Sequence, residues 1–79
     1  MERYRNLSGK SGVGAYAIGD DFIAIRFISG VIYWYTVESV GVQHFAEMKR
    51  LATQGRGLGT YISTHPEVSA GYANREPDE

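Results

Sequence analysis

From Val13 to Thr36 the chain runs in nearly continuous apolar and aromatic stretches broken by two turns, and beyond Thr36 the apolar positions recur with the period of a helix. Three runs rich in β-branched and aromatic residues, 13–18, 22–28 and 31–36, are separated by the turn residues Gly19-Asp20-Asp21 and Ser29-Gly30. This spacing predicts an antiparallel meander. A loop at Asp20-Asp21 sets Ile18 opposite Ile23 and Tyr16 opposite Ile25, with Ala17 beside Ala24 and Ala15 beside Arg26. A two-residue loop at Ser29-Gly30 pairs Ile28 with Val31, Arg26 with Tyr33, Ile25 with Trp34 and Ala24 with Tyr35. One face then carries Ile23, Ile25, Phe27, Ile32 and Trp34 and is the expected core. The other carries Ala24, Arg26, Val31, Tyr33 and Tyr35 and is expected to be open.

The helical repeat predicts a helix over 40–53, with Ser39 as N-cap and Gly55 as stop. Gly41, Phe45, Met48 and Ala52 form its apolar stripe, with Leu51 at the edge, expected to lie on the Trp34 face, and Glu47 and Arg50 pair on the opposite side. A short second helix over 60–64 follows the glycine-rich link Gly55-Arg56-Gly57-Leu58-Gly59, and Pro66 limits it. The expected fold class is α+β: a three-stranded antiparallel meander packed on one face by one long helix, plus a short C-terminal helix. It forms a single domain over 1–79 with an ordered core at about 11–68, a flexible N-terminal arm and a flexible acidic tail.

Composition narrows the functions such a fold can carry. At 79 residues the chain buries roughly 60% of its unfolded surface, so the core is thin and self-association would add burial. The absence of cysteine excludes disulfide scaffolds, thiol nucleophiles and cysteine zinc sites. No apolar run has the length of a membrane span and no signal-peptide core follows Met1, so the expected location is cytoplasmic, with no membrane partner. The net charge of −1 counts against nonspecific binding to long nucleic acid; 75–79 holds one basic and three acidic residues, leaving seven basic against six acidic elsewhere.

Two groups of residues carry recognisable chemistry. In the expected register Arg26, Tyr33 and Tyr35 share one face, a surface on which a nucleobase stacks while a phosphate is held, although packing by a second copy or by the C-terminal segment is the plainer explanation of the tyrosines. Arg56, Gly57, Gly59 and Thr60 offer a guanidinium, backbone amides at a helix start and a hydroxyl, which is either a phosphate cradle or a plain corner between helices. Gly9-Lys10-Ser11 lacks the spacing and the preceding strand of a phosphate-binding loop. His44 and His65 have too few converging ligands for a metal, Asp20-Asp21 is explained by turn geometry, and Ser8, Ser11 and Ser63 lack a His-Asp partner pattern.

Residues 11–64 resemble the KTSC domain, a short bacterial and phage family named for the lysyl-tRNA synthetase C-terminal extension in which it also occurs. The resemblance lies in Tyr33-Trp34-Tyr35, preceded by Gly19-Asp20-Asp21 and Phe27-Ile28-Ser29-Gly30, and followed after a helix by Ala52, Gly55, Gly57, Tyr61 and Ile62. It implies the RNA-binding role suggested for that family. The leading expectation from the residues is a small oligomeric, non-catalytic binding protein for a nucleotide-type ligand, with no cofactor. Its concrete form is a phage-encoded sponge in the host cytoplasm that sequesters a cyclic nucleotide immune signal and so evades anti-phage defence. The alternatives are an RNA-binding module and a structural protein-interaction domain.

Overall fold

Two hairpins in series build the centre of the sheet, and their loops decide which side chains meet the helices. The computed structural model describes residues 1–7, 9 and 12–77, so Lys10, Ser11, Ser8 and the last two acidic residues lie outside it. Strands β1 (Glu2–Arg3), β2 (Val13–Ile18), β3 (Phe22–Phe27), β4 (Val31–Thr36) and β5 (Asn74–Pro77) pair antiparallel in the order β1-β2-β3-β4-β5. The class is α+β, but the sheet has five strands where three were expected. The added strands come from the expected arm and tail, and each is too short and too exposed to show a period-two pattern. Tyr4, beside β1, is itself buried in the core.

The first hairpin has the expected register: Ile18 pairs with Ile23, Tyr16 with Ile25, Ala17 with Ala24 and Ala15 with Arg26. A bulge at Gly14 then returns Val13 to the core face opposite Phe27. The second hairpin is shifted by one residue. Its loop is Ile28-Ser29-Gly30, closed by a hydrogen bond from the Gly30 amide to the Phe27 carbonyl at 2.9 Å, with Gly30 at φ +95°. Ile25 therefore pairs with Tyr33, Ala24 with Trp34 and Ile23 with Tyr35. Because strand side chains alternate, this single step turns Tyr33 and Tyr35 toward the core and Trp34 away from it, the reverse of the expected arrangement.

The helix expected from 40 is two helices. Thr36 and Ser39 cap each other, the Ser39 amide donating to Thr36 Oγ1 at 3.0 Å and the Thr36 amide to Ser39 Oγ at 2.9 Å, which starts α1 (Val37–Val40). Gly41 at φ +91° breaks it, and α2 (Val42–Gln54) runs on to Gly55, a left-handed stop at φ +79°. Helices α3 (Leu58–Thr64) and α4 (Pro66–Ser69) follow. Of the expected stripe, Phe45, Met48 and Ala52 are buried, with Ile23 and Ile25 as expected but with Tyr35 in place of Trp34, so α2 covers the tyrosine face. Arg5 donates to the Thr53 and Gln54 carbonyls at 2.9 and 2.8 Å, tying the N-terminal segment to the end of α2. Among the described residues no helix is long and apolar enough to cross a membrane.

Candidate functional site

Where the second hairpin meets α3 and α4 the core stays open as a groove of about 470 Å³. Phe27, Tyr33 and Tyr35 form its sheet wall; Gly59, Ile62 and Ser63 of α3 and Ser69 of α4 form the helical wall; Ile28 and Tyr72 stand at its lip. Gly59, Ser63 and Ser69 are small, so the helices leave space opposite the rings.

Tyr33 is the hub. It stacks on Tyr35 at 6.4 Å and meets the edges of Phe27 and Tyr72 at 5.3 and 5.0 Å, while the Arg75 guanidinium lies 5.9 Å from its ring centre. This contact exists because β5 pairs Arg75 with Tyr33, which puts both side chains on one face. The Tyr33 hydroxyl bonded to Arg75 holds that guanidinium further above its ordinary value. Burial, then the neighbouring Tyr33 and Tyr72, pushes the Tyr35 phenol well above its ordinary 10.0. Ile28 is 79% exposed and Tyr72 37% exposed, an unusual amount of bare apolar surface beside a cavity.

The residues expected to bind a ligand are divided by the fold. Tyr33, Tyr35 and Gly59 line the groove. Arg26 is on the other face of the sheet, level with Ala15 and Ile32, so the shared Arg26–Tyr33–Tyr35 surface does not form. Arg56 is exposed at the α2–α3 corner. Gly57 at φ +83° starts α3, whose first amide, on Leu58, donates to the buried Tyr4 hydroxyl at 3.2 Å; Thr60 is exposed beyond it. The corner is thus closed from within by Tyr4 and Arg5, and a Cβ at Gly55 would lie 2.7 Å from Arg5. Arg75 and Tyr72 were missed because nothing in their local sequence marks them. Tyr72 lines the groove, and the pairing of β5 with β4 brings Arg75 against the Tyr33 ring, outside the groove lining.

The two histidines, far apart in sequence, come together at the junction of α2, α3 and α4. The Tyr61 hydroxyl and His44 Nδ1 are hydrogen-bonded at 2.5 Å, and His44 Nε2 faces the Glu67 carboxylate at 3.5 Å. His65 stacks on Tyr61 at 4.1 Å and its Nδ1–H donates to the Tyr61 carbonyl at 2.7 Å. Partial burial, then the Glu47 and Glu67 carboxylates, raises the Tyr61 phenol above its ordinary value. This chain of carboxylate, imidazole and phenol clamps three helices, and it is made by residues other than those lining the groove. Among the described residues no three His, Cys, Asp or Glu side chains are placed to share a metal ion. No family model, curated protein or solved structure matches the chain.

Proposed function

We propose that the chain is a small, non-catalytic binding protein that takes a ring-bearing, nucleotide-type ligand into the groove between the second hairpin and α3. The observation that carries this reading is the groove itself: about 470 Å³, walled by Phe27, Tyr33 and Tyr35, with an arginine on the hub ring. That volume falls within the roughly 300–1,000 Å³ of small-molecule clefts, which are mostly apolar with a few placed polar groups. Tyr33 and Tyr72 meet a planar base, and the Arg75 guanidinium meets a phosphate at the lip. The finer idea of sequestering a cyclic nucleotide immune signal now draws on Arg75 for its phosphate contact, because Arg75 touches the groove residue Tyr33, whereas Arg26 is on the other face of the sheet and Arg56 is at the α2–α3 corner. RNA binding has less support, since the formal charge is −1 and Arg26 and Arg75 lie on opposite faces of the sheet.

Titration calorimetry with mononucleotides, cyclic mononucleotides and cyclic dinucleotides tests the reading. The expected result is a dissociation constant of about 1–100 μM for at least one of them, weakened at least about tenfold by Tyr72→Ala and by Arg75→Ala. Absence of heat across the whole panel overturns it, as does binding that both variants leave unchanged.

A further inference from the structure

The face of the sheet that the helices leave bare has its own order. The strand register places Arg3, Ala15, Arg26, Ile32 and Glu76 side by side in one row across all five strands. The next row is Ala17, Ala24, Trp34 and Asn74. Charge therefore runs from basic on β1 and β3 to acidic on β5, and the bulky apolar side chains sit between. Phe22 and Trp34 lie 5.4 Å apart, and the Phe22 ring lies so close over Gly19 that a Cβ there would meet it at 2.0 Å. Ala24 has no exposed surface although no helix covers this side. The large side chains cover the small ones, with the Phe22 and Trp34 ring planes tilted by 47° to each other.

We infer that two copies of this chain associate face to face through this layer, related by a two-fold axis that runs along the strands between β3 and β4. That axis lays β5 of one copy across β2 of the other. The Glu76 carboxylate of each copy then lands over Ala15 of the other, flanked by Arg3 and Arg26, while Trp34 lies against β3 opposite it. Any other occupant would have to be acidic on one side and basic on the other in the same order; a second copy is so by symmetry. The size fits as well. One face of a body measuring 29 × 26 × 23 Å is about a sixth of its 4817 Å² surface, or about 800 Å², the area each partner buries in a stable pair. The groove, on the opposite side of the sheet, stays open in such a dimer.

Sedimentation velocity and the emission of Trp34, the only tryptophan, read this out together. The wild-type chain is expected to sediment at twice its monomer mass at about 100 μM, with Trp34 emission shifting to the red on dilution. Arg3→Glu and Glu76→Arg should each weaken the dimer by about tenfold or more, since symmetry repeats every contact. The combined variant should associate at least about threefold more tightly than either single one, which also shows that the reversed side chains are compatible with folding; recovery stays partial because Arg26 still faces the reversed charge at position 76. A monomeric wild-type chain overturns the inference, including one whose Trp34 emission responds to a single-stranded oligonucleotide. A dimer indifferent to Arg3→Glu overturns it too, because pairing along the outer edge of β5 leaves Arg3 without a role.

Discussion

The two hairpins of the sheet are built from similar residues and differ in their loops by one residue. In the first, Asp20-Asp21 closes the turn and every pair from Ile18–Ile23 to Ala15–Arg26 has the register that the sequence predicts. In the second, Gly30 at φ +95° lets Ile28 join the loop, and one extra residue there exchanges the two faces of β4. The consequence reaches far beyond the turn. Tyr35 becomes the largest fully buried side chain, Tyr33 becomes the wall of a groove, and Trp34 moves to the surface proposed for dimerisation. A strand whose two faces are both aromatic can be read either way from its composition, and the loop casts the deciding vote.

The contrast between adjacent residues is the most direct way to break this account. Tyr35→Ala should cost about 3–5 kcal/mol in denaturant unfolding, as for other large core truncations. Trp34→Ala, measured dilute enough that association does not contribute, should cost only about 1–2 kcal/mol, from lost contact with Phe22 and the hydrogen bond to Glu76. The reverse order would mean that the faces are exchanged.

Alkaline unfolding sharpens the same point. The folded chain holds the Tyr35 proton more tightly than the unfolded chain does, because burial raises its pKa. The stability tied to that proton is complete below the ordinary value of 10.0 and is lost as pH rises beyond it. Tyr35→Phe should flatten this decline in a series of urea unfolding curves above pH 10.0, and Tyr72→Phe, at the exposed lip, should alter it less.

The smallest effects compare the two turns. Gly19→Ala forces the Phe22 ring away from its place beside Trp34, so tryptophan emission should change with a stability loss of about 1–2 kcal/mol. Gly30→Ala meets open space, and only the positive φ is strained. It should cost about 1 kcal/mol in thermal unfolding and leave the emission of the dilute monomer unchanged.

Much of the fold was legible locally. The stripe of Phe45, Met48 and Ala52, the stop at Gly55 and the Glu47–Arg50 pair, with Arg50 Nε at 2.9 Å from Glu47 Oε1, all follow from residues within a few turns of one another. The start of α1 was misplaced because Thr36 ends a strand and caps a helix at once. Of the candidate site, Tyr33, Tyr35 and Gly59 were identified, but as parts of two separate surfaces. Tyr72 and Arg75 had no local signal, and the clamp of His44, Tyr61, His65 and Glu67 joins three helices whose mutual placement no spacing encodes.

What the sequence by itself determined is the kind of the three central strands and of α2 and α3, and the side of α2 that is buried, because propensity, capping and helical periodicity act over neighbours along the chain. What only the tertiary structure decided is which face of β4 those helices cover, and that residues 2–3 and 74–77 complete the sheet. Strand pairing is a contact between distant segments, and side chains alternate at every residue. One loop residue therefore inverts a face, and an exposed edge strand, having no side to bury, leaves no pattern to read.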